Sequence, residues 1–402
     1  MSLGLIGCRY WPSEGLYNPC LSGLPAELKD HDLVRSAWQG IDVNQFWDCH
    51  AHLIGVGDSD SGIWVNPNMQ SLLHPIQFTQ FKFYLNGSCV EAHDKQEGKT
   101  IDEQYLHRLT QLLNDFPKGA KLMLIAFEYH YDDRGKQRGD LSPFHTPNQY
   151  AAKIAKQYPE RFEWIASVHP YREDSLETLQ WCVENGARAV KWLPGAMGID
   201  PSSKKCDAFY KVLNRYAVPL LTHSGEEQAV SVSGSKKLNN PLLMRRALEH
   251  GVKVIFAHCA SLGNSADLDK GPHGALISNL ELFYRLLEDE KYQDQVYGDI
   301  SAITQVNRDK ETIETIFTRT EWHPNLINGT DYPLPGVLPI VSTQSFADWG
   351  FIAQSDADVL TQIRRYNPLL FDFVLKRTIK INGAKLNPVI FESSRIFPPL
   401  AM

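Results

Sequence analysis

Residues 187–193 read Ala-Arg-Ala-Val-Lys-Trp-Leu, an apolar run with Arg188 near its start and Lys191 towards its end, a lysine that either snorkels to solvent or lies in a polar site. A helical pattern over Asp207–Tyr216 follows, and then a second apolar run, Pro219–Thr222, that stops at His223. Strand, amphipathic helix and strand in so short a span is the βαβ signal of a parallel sheet. The alternation extends both ways. Upstream lie Phe46–Leu53, Lys121–Phe127 and Phe162–Val168; downstream lie Val252–Ala257, Val296–Ile300 and Leu326–Gly329.

Eight such runs favour a closed (β/α)₈ TIM barrel over an open doubly wound sheet. Ser175–Glu184 and Pro241–Glu249 read as helices closed by Gly186 and Gly251, and Asp309–Phe317 carries apolar residues at helical spacing. A longer helix is expected within His273–Tyr292. Residues 54–120 form an insertion after the first strand, in which Phe78–Leu85 is a helix or an extra strand. Residues 333–402 form a C-terminal extension, with helices over Asp356–Arg365 and Leu369–Ile379 that close the barrel bottom or side. Residues 1–44, punctuated by Pro12, Gly15, Pro19, Gly23 and Pro25, read as an N-terminal arm, and 45–402 as the barrel domain.

With 402 residues, 43% of them hydrophobic and 22% charged, the chain has material for a large core, and its composition excludes overall disorder and coiled coil. A formal charge of −7 argues against a polyanion-binding surface such as nucleic acid and for small, cationic or neutral partners. Seven cysteines without a Cys-x-x-Cys pair do not suggest a disulfide framework, so most are expected as buried thiols. Leu5-Ile6-Gly7-Cys8 fits the lipobox of a bacterial lipoprotein. Either Cys8 is acylated and holds an exported protein at a membrane, or the match is fortuitous and the protein is cytoplasmic. No Gly-x-Gly-x-x-Gly, phosphate-loop or Gly-x-Ser-x-Gly motif follows a strand, so dinucleotide, nucleotide and nucleophile-elbow chemistry lack support.

The informative polar residues lie where apolar runs stop. Asp48-Cys49-His50-Ala51-His52 places two imidazoles two residues apart, hence on one side of a strand, with Cys49 and Ala51 on the other. Lys191 ends the fourth run, His223 the fifth, His258 the sixth, and Asp331, in Gly329-Thr330-Asp331-Tyr332-Pro333, the eighth. Singly, each has a structural explanation as a rim histidine, a solvated lysine or a turn aspartate. Jointly they converge, because the carboxyl ends of all strands in a βα barrel open on one face. Imidazoles and a carboxylate gathered there suit a divalent transition metal.

Asp-x-His-x-His on strand one, His on strands five and six and Gly-Thr-Asp-Tyr-Pro on strand eight resemble the amidohydrolase superfamily, in particular its "amidohydrolase 2" branch of metal-dependent TIM-barrel hydrolases. The resemblance covers roughly residues 46–335. It implies that His50, His52, His223 and Asp331 hold a divalent metal, zinc foremost and manganese as an alternative. It leaves one or two ions open. In a binuclear site a carboxylated Lys191 and His258 would hold the second, whereas in a mononuclear site both belong to the catalytic set, His258 polarising the substrate carbonyl or guiding the water and Lys191 offering positive charge to a substrate carboxylate. Metal binding lowers the pKa of water towards about 7. Asp331 would then take the proton during attack, His258 would steady the oxyanion and Asp48 would support the histidines from behind. Arg172, Tyr332 and Trp192 are candidates for substrate binding, with His130, Arg134, Arg138 and Trp64 behind them.

Three functions follow as expectations. The first is hydrolysis of a lactone, ester or amide. The second is nonoxidative decarboxylation of an aromatic or unsaturated acid. The third is a noncatalytic, metal-containing envelope binding protein. A Ser/Gly stretch, Val232-Ser233-Gly234-Ser235, reads as a flexible loop after strand five, and a homodimer is expected only by analogy with other barrels.

Overall fold

The computed structural model describes residues 14–90, 99–228, 230 and 234–398. All eight expected strands form. They are β1 (Trp47–His52), β2 (Lys121–Ile125), β3 (Phe162–Ile165), β4 (Val190–Trp192), β5 (Leu220–Thr222), β6 (Val254–Phe256), β7 (Val296–Asp299) and β8 (Leu326–Ile327). Strands β1 to β3 pair in parallel, as do β4 to β8. Two seams join these runs. Between β3 and β4, Ala166 bridges Val190, and the Lys191 N–H donates to Ala166 O at 2.7 Å. Between β8 and β1, Ala51 bridges Tyr332, and the Cys49 N–H donates to Asn328 O at 3.0 Å. The sheet therefore closes into a (β/α)₈ barrel.

Helices alternate with the strands. The insertion after β1 supplies α1 (Pro75–Gly87) and α2 (Ile101–Leu113), so the ambiguous Phe78–Leu85 stretch is helical. Then come α3 (Asn148–Gln157), α4 (Ser175–Glu184), α5 (Asp207–Arg215), α6 (Arg245–Glu249), α7 (Asn279–Leu287) and α8 (Lys310–Thr318). After β8 follow α9 (Thr343–Asp348), α10 (Gln354–Tyr366) and α11 (Pro368–Thr378). The helix expected within 273–292 is shorter than its pattern, because Leu276–Ser278 pairs antiparallel with Asn264–Ala266 before α7 begins. No helix among the described residues is long and apolar enough to cross a membrane.

Two apolar cores result. One fills the space between strands and helices. The other lies inside the barrel, where Cys49, Met123, Ile125, Ile165, Ala189, Leu221, Ile255 and Ile327 meet Ile396 and Phe397 of the extension. Side chains two apart on a strand share a side. The inward residues Ala189, Leu221 and Ile327 therefore continue upward to Lys191, His223 and, two steps on, Asp331. Strand β1 departs from simple alternation: its register shifts between Asp48 and Ala51. A bulge of this kind re-aims side chains, and here Cys49 joins the barrel interior while His50 still faces the mouth.

The arm is not extended throughout, since it forms short helices at Ala26–Lys29 and Asp32–Ala37. It is tied to the end of α1. The Asn18 N–H donates to Asn86 Oδ1 at 2.8 Å, Asn86 Nδ2 donates to Asn18 O at 3.2 Å, and Cys20 and Cys89 form a disulfide. This departs from the expectation for the thiols, although Cys49, Cys182, Cys206 and Cys259 are free and buried as expected. Cys8 lies outside the described residues. Closing a loop of 69 residues restricts the unfolded chain, and reduction or Cys20→Ser is expected to cost about 4 kcal/mol. Urea unfolding with and without a thiol reductant measures this, and identical midpoints would contradict it.

The extension secures the loop that follows β8. Arg364, fully buried, donates to the carbonyls of Pro335 at 2.7 Å and Val337 at 2.9 Å and pairs with Glu14 of the arm. Lys376, paired with Asp372 within α11, donates to Gly329 O at 2.7 Å. Burying a charge is costly unless it is paired or hydrogen-bonded, so these contacts hold the backbone on either side of Asp331 in place.

Candidate active site at the barrel mouth

At the carboxyl ends of the strands, Asp331 is the hub. Its Oδ1 lies 3.0 Å from His52 Nε2 and 3.5 Å from His50 Nε2, and its Oδ2 lies 3.9 Å from His258 Nε2. His50, His52 and Asp331 bring three donor atoms close enough to share one ion. Lys191, 1% exposed, places Nζ 3.1 Å from His50 Nε2. His223 is buried above β5, with Nδ1 3.3 Å from Glu227 Oε2.

Behind these groups lies a carboxylate that the sequence reading did not single out. Asp299, at the end of β7 and inaccessible to solvent, accepts from His50 Nδ1 at 2.8 Å through Oδ2. Through Oδ1 it accepts from the His258 N–H at 3.0 Å, the Ser301 N–H at 2.9 Å and the Ser301 hydroxyl. With its own hydrogen directed at Asp299, the Ser301 hydroxyl oxygen is free to accept from His258 Nδ1 at 2.8 Å. A second triplet of ligand-type residues, His50, His258 and Asp299, is thus already joined by internal hydrogen bonds.

These bonds assign the tautomers. His50 and His258 each carry their proton on Nδ1, facing Asp299 and Ser301, which leaves the lone pair on Nε2, and His223 Nδ1 faces Glu227 at 3.3 Å. His223 Nε2 is buried and has no hydrogen-bond partner. Such an atom signals a group that completes its valence. Carboxylate-backed imidazoles presenting Nε2 lone pairs are the arrangement in which proteins hold transition metals. The residues therefore fit a divalent cation. Among the described residues His223 does not fall within the closest triplet, so it would be a ligand at the edge of the cluster.

The electrostatics agree. Burial, with Lys191 nearby, lowers the pKa of His50, and burial lowers that of His258 well below the usual range. Burial likewise lowers the pKa of Lys191 against the pull of Asp299 and Asp331. For Asp331 burial acts the other way, but His50, His52 and His258 hold it well below the usual carboxylate range. Burial thus favours the neutral forms of His50 and His258, while the histidines favour the ionised form of Asp331.

Backbone strain marks the same place. His258, Cys259 and Ala260 have φ of 55°, 52° and 49°, and Asp331 has φ of 61°. Left-handed backbone at non-glycine residues costs on the order of 1 kcal/mol each and persists only where the surroundings impose it. Here Asp299 holds the His258 N–H, and His50 O accepts from the Asp331 N–H at 2.7 Å. Asp48 closes the seam beneath: its Oδ1 accepts from the N–H groups of His50 and Thr330 at 3.0 and 2.9 Å, and its Oδ2 from the Thr330 hydroxyl at 2.6 Å. Asp48 thus holds the backbone beside His50, and the carboxylate behind the His50 ring is Asp299 instead.

The three expected substrate-binding residues lie elsewhere or are already engaged. Trp192 follows the inward Lys191 and so faces outward; it is fully buried against Phe209 and Tyr210 of α5 and donates to Val168 O at 2.9 Å. Tyr332 is also fully buried, beside Tyr105. Arg172 is gripped by Glu128 and Asp174. Its Nη2 lies 2.7 Å from Asp174.

His130 spends Nδ1 on Ala196 O at 2.9 Å. Arg138 is paired with Asp140, and Trp64 stands beside Tyr129. The sequence reading also passed over Glu227, one helical turn after His223, and Arg308 in the loop after β7.

Two histidines near this face must stay neutral. Burial lowers His145 to about 4 and His169 to about 3. His169 uses both ring nitrogens, donating to Met197 O at 2.9 Å and accepting from the Tyr171 N–H at 3.1 Å. Below pH 6.5 the unfolded chain takes up these protons while the folded chain does not. Stability therefore falls from pH 6.5 down to the folded values, by about 3 kcal/mol or more at pH 4.5. Urea titrations at pH 7 and 4.5 test this, and equal stabilities would refute it.

The amidohydrolase family model matches residues 47–370. No curated protein matches the sequence. Among solved structures, 5-carboxyvanillate decarboxylase from Sphingomonas paucimobilis is 9% identical, with 80% of this chain and 98% of that one covered at a TM-score of 0.46. A dihydroxybenzoic acid decarboxylase from Polaromonas sp. JS666, with bound manganese and an inhibitor, is 12% identical, with 83% and 97% covered at 0.42. 4-Oxalomesaconate hydratase from Rhodopseudomonas palustris is 12% identical, with 82% and 98% covered at 0.42. The chain belongs to the amidohydrolase family. Its fold and mouth are those of a metal-dependent enzyme.

Proposed function

We propose that this protein is a metal-dependent hydrolase that cleaves a lactone, ester or amide bond of a small molecule with an activated water. The observation that carries the reading is the placing of the Nε2 atoms of His50 and His258 around Asp331, each ring fixed from behind by a hydrogen bond at Nδ1, together with the buried, unpartnered Nε2 of His223. His50, His52, His223 and Asp331 would hold one divalent ion, zinc or manganese, which when bound acidifies water and polarises a carbonyl.

Asp331 accepts the proton of the attacking water and returns it to the leaving group. His258, with its proton committed to Ser301, presents a lone pair and orients that water. This replaces the oxyanion role expected for it, which needs an Nε2–H. Lys191, whose Nζ lies 3.1 Å from His50 Nε2, would donate to the oxyanion. A single-ion site leaves Lys191 uncarboxylated and His258 unligated, as these roles require.

The test is turnover of a panel of lactones, esters, amides and unsaturated carboxylic acids in ¹⁸O-water. One ¹⁸O in the product acid is expected. Release of CO₂ with no ¹⁸O in the organic product would replace hydrolysis by decarboxylation, and metal binding with no turnover on any compound would leave a binding protein.

A further inference from the structure

Arg308 is a buried cation that the proposed reaction does not use. It follows β7 in the loop carrying Ser301, is 6% exposed, and forms no ion pair with a carboxylate among the described residues. Neutral oxygens hold it instead. Nε donates to the Ser261 hydroxyl at 3.3 Å, and Nη1 donates to Gln305 Oε1 at 3.2 Å and Asn307 Oδ1 at 2.6 Å. Ser261 lies three residues past His258, and Asn307 Nδ2 donates to Gln228 Oε1 at 3.1 Å, next to Glu227. The guanidinium is therefore fixed where the loops after β5, β6 and β7 meet, on the face that carries the histidines. Among the described residues its Nη2 has no hydrogen-bond partner, yet it is not among the buried atoms sealed from solvent.

Burying an arginine against neutral partners is costly, and natural proteins normally pair it. Glu128, Glu163, Asp207 and Asp269 perform that service for Arg172, Arg188, Arg246 and Arg245. Arg308 is instead oriented by three neutral acceptors that take up Nε and Nη1 and leave the hydrogens of Nη2 free to donate to an anion. Asp331, Glu227 and Asp299 lie near enough to attract it without forming contacts, and burial lowers its pKa to about 10, so it stays charged at neutral pH.

We infer that Arg308 is the anion-binding residue of the substrate site, gripping a carboxylate on the substrate remote from the bond that is cleaved. The inference rests on the placement of the active site proposed above and gives Arg308 the role first expected of Arg172.

The experiment titrates the full chain with benzoate and with its neutral isostere benzamide, before and after zinc loading, and counts bound zinc in the same samples. Benzoate should bind at least tenfold tighter than benzamide. Arg308→Gln should erase that preference, Arg308→Lys should restore part of it, and Arg172→Gln should change it less than twofold. A merely structural Arg308 would alter stability but not the benzoate-to-benzamide ratio. Should Arg308→Gln fail to fold, Asn307→Ala, which frees the guanidinium from its cradle, should still weaken benzoate several-fold. An unchanged ratio in folded Arg308→Gln overturns the inference even if zinc binds and turnover persists. Loss of preference with no zinc bound supports it while defeating the hydrolase.

Discussion

Asp331→Asn is expected to lower turnover by at least about 10³-fold, because one substitution removes a metal ligand and the proton acceptor together. The variant should fold. Asparagine is among the few residues that tolerate the left-handed conformation that Asp331 adopts at φ 61°. The loop around it is also held from outside, by Lys376 on Gly329 O, Asp48 on Thr330 and Arg364 on residues 335 and 337. Circular dichroism and unfolding midpoints should thus stay near wild type while kcat collapses. His50→Ala should act similarly, since His50 touches Asp331, Lys191 and Asp299 at once. Retained activity in either variant would break the assignment of the site.

The second large effect is expected at Asp299, which reaches the chemistry only through other residues. Asp299→Asn would set an amide nitrogen opposite His50 Nδ1, where Oδ2 now accepts at 2.8 Å. Two donors cannot face one another, so His50 would move its proton to Nε2 and lose the lone pair turned to the mouth. Groups that orient a ligating imidazole typically contribute 10–100-fold to metal affinity or activity. Zinc affinity should fall by about that factor, with kcat recovering at high zinc, a recovery that Asp331→Asn should not show. If the affinity of Asp299→Asn for zinc equals that of wild type, the tautomer argument fails.

Much of this was legible in the chain because a barrel strand alternates. Ala189-Lys191, Leu221-His223 and Ile327-Gly329-Asp331 show the inward side continuing from apolar to polar, which is why strand ends identified the mouth. The same parity, applied strictly, places Trp192 outside, since it adjoins Lys191. Asp299 carried the identical signal, a lone charge inside Val-Tyr-Gly-Asp-Ile at residues 296–300. What alternation could not show is where it breaks. The bulge in β1 sends Cys49 inward with His50, and three consecutive left-handed residues aim His258. Neither leaves a mark in residue type, because no glycine stands at those positions. Arg172 and Arg308 also look alike as letters. Only the fold shows that one has carboxylates on both sides and the other has none.

The central claim is that a divalent ion belongs at this mouth. The most direct measurement counts metal atoms per chain by elemental mass spectrometry, on protein purified without chelators or immobilised nickel, beside Asp331→Asn. About one zinc or manganese per wild-type chain, and far less in the variant, is the result predicted by the single-ion coordination set. About two would make Lys191 and His258 ligands of a second ion and overturn their catalytic roles. No metal in either protein, with no stabilisation of the wild type by added zinc or manganese, would contradict the account at its root.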